Sequence, residues 1–218
     1  MTDQLRLVTD VKTHGRASHR RTVWVDGEPW RDMAVEALRE CRITVGDTID
    51  IVGPDERLRE VEPRLARERA LRLLMYRERS THEIHSRLLD DGYPADVADP
   101  LVAWLVDTGL VDDTRFAENF ARTLIRSRGY GRERALRELR TRGIDDGLAR
   151  SSLDAAAPPD DEPERARLLA RRLLRNGDTV QRLAARLARR GFAPGVSLDA
   201  ARSILADEPG HGSVDEDF

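Results

Sequence analysis

The residues able to do chemistry are few, and their spacing argues against catalysis. THEIHS sets His82 and His85 at i and i+3 of a helical pattern. A zinc-protease pair needs histidines at i and i+4, one turn apart on one helix face, with a third ligand downstream. Two surface histidines are the simpler reading. Cys41, the single cysteine, has no histidine close in sequence and lies in an apolar helical pattern, which suits a packed thiol better than a nucleophile. RGYG at 128–131 holds two glycines without phosphate-loop spacing or a preceding strand, and reads as an interhelical turn. Carboxylates abound, yet none is set apart as an acid/base pair. The sequence asks for no catalytic residue, no metal and no cofactor, and the chain is read as a non-enzyme.

Arginine offers the alternative chemistry, recognition of anions. Residues 114–154 hold ten Arg against six acids and residues 155–206 again ten against six, so this stretch carries +8 within a chain of net charge −3. At 100° per residue the arginines fall opposite the apolar positions. Around 116–128, Phe116, Ala117, Phe120, Ala121, Leu124 and Ile125 fill one half of a helix, with Arg115, Arg122 and Arg126 striped on the other. Arg132, Arg137 and Arg140 follow on the next helix. From Glu164, Ala166, Leu169, Ala170, Leu173 and Leu174 face inward while Arg165, Arg167, Arg171, Arg172 and Arg175 project away. Further on, Val180, Leu183, Ala184 and Leu187 oppose Arg182, Arg186, Arg189 and Arg190. A solvated face mixes signs more evenly, so these stripes are read as a surface for an acidic or polyanionic partner. The competing reading is compositional: 36 of the 37 basic residues are Arg, and a chain-wide preference would inflate every cluster.

The elements that must carry these stripes are announced by a phrase used three times. SRLLDDGY at 86–93, RELRTRGI at 137–144 and ARLARRGF at 185–192 each join a leucine to a glycine four residues on and then a large apolar residue. Gly92, Gly143 and Gly191 lie 51 and 48 residues apart, the period of a repeat array. Glycine closes a helix in the left-handed conformation, and the apolar residue after it tucks back against the helix just ended. Ser80 and Glu83 form a capping-box pattern that starts such a helix, and Pro94 begins the next, whose buried face is Val97, Leu101, Val102, Trp104 and Leu105. The chain is predicted to be mainly α, an elongated tandem array of three three-helix repeats at 64–112, 113–155 and 164–206. AAAPPDDEP at 155–163 marks a linker over 156–163, and an acidic tail at 207–218 is expected to be disordered.

Residues 1–63 form a small α/β extension. Alternating Val23 and Val25, followed by Asp26-Gly27, predict a hairpin; Pro29 confines the return strand to an edge; a helix spans Met33–Cys41, and ITVGDTIDIV has strand character. One cysteine excludes a disulfide framework, and no apolar run reaches about 18 residues, so the expectation is a soluble cytoplasmic protein.

The runs ERSTHEIHSRLLDDGYPADVADPLVAWLVDTGLVDDTRFAENF and GRERALRELRTRGI resemble RecX, the bacterial regulator of the RecA recombinase. The likeness rests on Ser80, Glu83, Leu88, Gly92, Trp104, Leu105, Gly109, Leu110, Asp112, Asp113, Phe116 and Ala117, then Gly131, Glu138, Leu139, Gly143 and Ile144, and covers about 66–206. Ala135 departs from the family's larger aliphatic, with Leu136 placed to fill the space; the third repeat matches mostly through LARRGF. The resemblance implies tandem three-helix repeats, binding in the groove of the RecA–DNA nucleoprotein filament as a monomer, and inhibition of RecA's ATPase, strand exchange and co-protease activity. Most of these positions are caps and core residues, so the partner-binding residues come from the arginine stripes: Arg115, Arg122, Arg126, Arg132, Arg137, Arg140, Arg171, Arg172, Arg175, Arg182, Arg186, Arg189 and Arg190, facing RecA's acidic surfaces and DNA directly. The alternative is a helix-turn-helix transcriptional regulator, although the candidate recognition helix at 179–190 offers only Gln181 for reading bases.

Overall fold

The computed structural model describes residues 5–13, 19–51 and 56–207. The expected acidic tail from 208 onward lies outside them. The chain divides into two compact units between Asp112 and Asp113.

In the first unit, β1 (Leu5–Thr13), β2 (Arg20–Val25), β3 (Glu28–Ala34) and β4 (Thr48–Asp50) form an antiparallel sheet in the order β3-β2-β1-β4. The hairpin turn has Asp26 at φ 50° and Gly27 at φ 88°, the pair of positive φ values that matches strand twist in a two-residue loop. Pro29 lies on β3, an edge strand, as its missing N–H requires. Helix α1 (Val35–Glu40) follows, with Cys41 buried at its end. Among the described residues of ITVGDTIDIV only Thr48–Asp50 is strand; Gly46, at φ 94°, turns the chain before it. Val8, Val23, Val25, Met33, Leu38, Ile43, Ile49 and Leu58 share the core of this module.

The first repeat packs α2 (Glu56–Tyr76), α3 (Thr81–Asp90) and α4 (Ala95–Asp107) around Leu65, Ala66, Leu73, Ile84, Leu88, Leu101 and Leu105. The boundary expected at 63/64 falls inside α2, which runs unbroken through Pro63. Pro63 removes one helical donor, but Leu58 on its N-terminal side is fully buried in the sheet module and holds that turn in place. Ser80 caps α3 by the reciprocal box: its hydroxyl accepts from the Glu83 amide at 3.1 Å, and the Glu83 carboxylate accepts from the Ser80 amide at 3.4 Å.

The second unit holds two more triplets. One is α5 (Asp113–Arg122), α6 (Arg132–Thr141) and α7 (Asp146–Ala156); the other is α8 (Glu162–Leu173), α9 (Val180–Arg189) and α10 (Pro194–Ala206). Each surrounds its own core, Leu124, Leu139 and Leu153 in the first, Leu183, Leu187 and Ile204 in the second. Thr123–Ser127 extends α5 as a π-helical turn, in which the Arg128 amide donates to the Thr123 carbonyl and Leu124 and Ile125 both face inward. Between the triplets, the stretch read as a linker is a single 3₁₀ turn, Pro159–Asp161, leading directly into α8.

The repeated phrase has one structure throughout. Tyr93, Ile144 and Phe192 donate their amides to the carbonyls of Leu88, Leu139 and Leu187, and the three glycines donate to Leu89, Arg140 and Ala188. This is the double hydrogen-bond closure of a helix around a left-handed residue, with φ of 96°, 75° and 91° at Gly92, Gly143 and Gly191. The residue after each glycine is buried, and the leucine before it both accepts the closing bond and fills the core.

Candidate partner-binding surface

The second and third repeats are joined through these caps. An α-helix leaves its first amides without partners. At the start of α6, Gly131 N–H donates to the Arg190 carbonyl at 2.9 Å and Glu133 N–H to the Gly191 carbonyl at 3.1 Å, while Arg132 N–H donates to the Glu162 carboxylate at 2.8 Å. The cap that ends α9 thereby supplies the cap that begins α6. Arg134 and Arg190 reinforce the junction by donating to the Arg189 and Arg128 carbonyls. RGYG is an interhelical turn, and also half of this joint.

The arginine stripes separate into two kinds. Several guanidiniums are answered within the fold. Arg132 pairs with Asp154 at 2.5 Å, Arg137 with Glu133 at 4.0 Å and Arg171 with Asp207 at 3.6 Å. Arg140 grips Asp146 through two hydrogen bonds of 2.5 and 2.7 Å, which hold the Asp146 carboxyl below the usual carboxylate range. Arg122 reaches the Asn119 amide oxygen, and Arg126 donates to the Ala156 carbonyl at 3.5 Å.

Arg186 is the member of the α9 stripe that does not project. Its side chain is 16% exposed and pairs with Asp178, itself 7% exposed. Asp178 also accepts the Arg175 amide at 2.8 Å. Burial raises the Asp178 carboxyl, and the Arg175 amide and Arg186 guanidinium outweigh it, leaving the group below its ordinary value. Helical angle alone places Arg186 beside Arg182 and Arg189; the loop before α9 folds Asp178 against it.

Arg172, Arg175, Arg182 and Arg189 are exposed, and their side chains have no ion pair or hydrogen bond among the described residues. Arg115 is exposed on α5. Arg182 and Arg189 follow the cap of α9, where the Thr179 hydroxyl accepts the Arg182 amide. Two arrangements escaped the sequence reading. Arg165, read as projecting away, is half-buried and donates to the Tyr130 carbonyl at 2.6 Å; burial, ahead of its neighbours' charges, lowers its pKa. Phe120 carries Arg142 at 4.9 Å and Arg128 at 5.9 Å from its ring centre, and Tyr130 carries Arg134 at 4.0 Å. Tyr130 stands two residues before α6 begins, so no helical spacing announces its contact with Arg134.

No cluster of three or more His, Cys, Asp or Glu able to hold a metal occurs among the described residues. His85 instead meets Asp99 at 2.7 Å and His82 meets Ser86 at 3.5 Å. No helix among those residues is long and apolar enough to cross a membrane.

Helix triplets that each bury a small core and offer their outer faces define a helical repeat protein, a class that binds through surfaces. The models of the RecX first and second three-helix domains match residues 66–105 and 112–153. Regulatory protein RecX of Mycolicibacterium smegmatis is 35% identical over 161 residues, 67% of this chain and 85% of the relative; that of Mycobacterium sp. strain KMS is 37% identical over 169 residues, 72% and 90%. A crystal structure of a regulatory protein RecX aligns with a TM-score of 0.56 at 24% identity, covering 94% of this chain and all of that one. The RecX structure from Lactobacillus salivarius gives 0.57 at 22% identity, covering 66% and 97%. The chain belongs to the RecX family.

Proposed function

We propose that this chain is a RecA modulator: it binds the RecA–DNA filament in the cytoplasm as a monomer and restrains RecA's recombinase, ATPase and co-protease activities without chemistry of its own. The family relatives bear the name regulatory protein, and a regulator acts through contact. The observation that carries the reading is the unanswered set Arg172, Arg175, Arg182 and Arg189. Exposed guanidiniums suit a partner that brings phosphates or carboxylates in a fixed array, which Arg engages through paired N–H donors. Arg115, Arg122, Arg126 and Arg190 extend that surface. Arg132, Arg137, Arg140 and Arg171 would have to exchange an internal carboxylate for the partner's, and Arg186 belongs to the fold rather than the interface.

The helix-turn-helix alternative places α9 in a DNA groove, where its outer face would present Gln181 and arginines. Arginines without further base-reading amides favour backbone contact over sequence recognition. Co-sedimentation with RecA assembled on single-stranded DNA, against the same DNA bare, separates the two. The proposal expects preferential retention by the filament; equal or greater retention by bare DNA overturns it.

A further inference from the structure

A groove of about 450 Å³ opens in the second unit between the π-helical turn that ends α5, the end of α7, and α8. Its floor is apolar, with Ile125, Phe192 and Leu168, the last 52% exposed. Arg126, Arg165 and Arg172 line it with a single acid, Asp161. Arg126 and Arg172 have no carboxylate partner among the described residues, and Arg165 is held half out of water with its guanidinium spent on a backbone carbonyl. This lining suits a binder that brings anionic groups together with an apolar side chain.

We infer that the occupant is the chain's own segment 208–218, EPGHGSVDEDF, seated with its acids on Arg126 and Arg172 and an apolar side chain over Leu168. The segment carries Glu208, Asp215, Glu216 and Asp217, no Lys or Arg, and the apolar Val214 and Phe218. It starts close to the helix that walls the groove: Asp207, the residue that follows α10, pairs at 3.6 Å with Arg171 on α8, next in the chain to the groove-lining Arg172. The span from Arg172 back to Arg165 is about 10 Å of helix, and eleven extended residues cover roughly 36 Å, so reach does not limit docking. The contact is electrostatic at its rim and weakens with salt. Arg126 and Arg172 also belong to the proposed partner surface, so the docked segment withdraws them from it. That consequence rests on the proposed function, whereas the docking itself does not.

The test places photoreactive p-benzoylphenylalanine at position 218 of the full chain and maps its cross-links by peptide mass spectrometry at low micromolar concentration. Docking predicts intramolecular cross-links concentrated on 125–129 and 165–172, reduced at least threefold by 0.5 M salt, by D215N/E216Q/D217N and by R126A/R172A. The tail variant leaves every described residue untouched, so its result cannot come from misfolding. Cross-links spread over the whole surface, unchanged in the tail variant, or joining two copies overturn the inference. The cross-link map is obtained without RecA, so failure here leaves the RecA reading standing, and failure of RecA binding leaves the docking standing.

Discussion

Gly131 and Gly191 meet backbone to backbone. The first donates its amide to the carbonyl preceding the second, and a Cβ built on Gly131 overlaps the Gly191 carbonyl and the Phe192 nitrogen. Gly131 has an ordinary φ of −72°, so glycine is required there by space and not by backbone conformation.

G131A is therefore expected to destabilise the second unit by about 1–3 kcal/mol, toward the upper end because backbone must yield rather than a side-chain tip. Gly177, at φ 73° with open space around a Cβ, supplies the contrast: G177A meets only conformational strain of roughly 1 kcal/mol. Urea unfolding of both variants checks the order. A G131A chain as stable as the parent would mean that the junction of the second and third repeats is not as described.

The buried Ser80 hydroxyl answers the Glu83 amide at the start of α3. S80A should cost about 1 kcal/mol, the usual value of an N-cap, while S80T and S80D retain most of it. Chemical denaturation followed by circular dichroism measures all three.

The Arg186–Asp178 pair predicts a pH dependence. The folded-state pKa of Asp178 is depressed, so its contribution to stability is present above the unfolded value, about 3.9, and is lost as pH falls through the folded value. R186A should melt below the parent at pH 7, and the gap should narrow below about pH 4. R182A and R189A, which remove exposed and unanswered charges, should melt with the parent at both pH values. A gap for R186A that is equal at pH 7 and pH 3 would assign its effect to packing instead.

The legible features of this fold are those that a short stretch of chain decides. A helix cap is set within six residues, so Leu88, Gly92 and Tyr93 and their two counterparts foretold three identical closures. Asp26-Gly27 similarly determined its hairpin. Strand β1 stayed unread because its apolar residues do not keep to one face: Leu5 and Leu7 lie on the exposed side and Val8 on the buried side, and a bulge between Val8 and Asp10 shifts the phase beyond it. The boundary drawn at 63/64 falls inside α2 because the burial of Leu58 that carries the helix through Pro63 is a tertiary fact. The arginine stripes were legible as geometry, and their partition was not. Arg186 differs from Arg182 only because a loop acid eight residues earlier folds onto it, and no helical wheel contains that loop.

Arg182 and Arg189 share the outer face of α9 with no partner among the described residues, and R182A/R189A removes them while sparing the Asp178 pair. The most direct test of the proposed interface is inhibition of RecA's DNA-dependent ATPase by parent and double variant across a salt series, with circular dichroism confirming equal folding. If each guanidinium contributes on the order of 1 kcal/mol to filament binding, the double variant requires about thirtyfold more protein for half-inhibition at low salt, and its salt dependence is shallower. A folded double variant that inhibits as strongly as the parent at every salt concentration would contradict the assignment of this face to the filament.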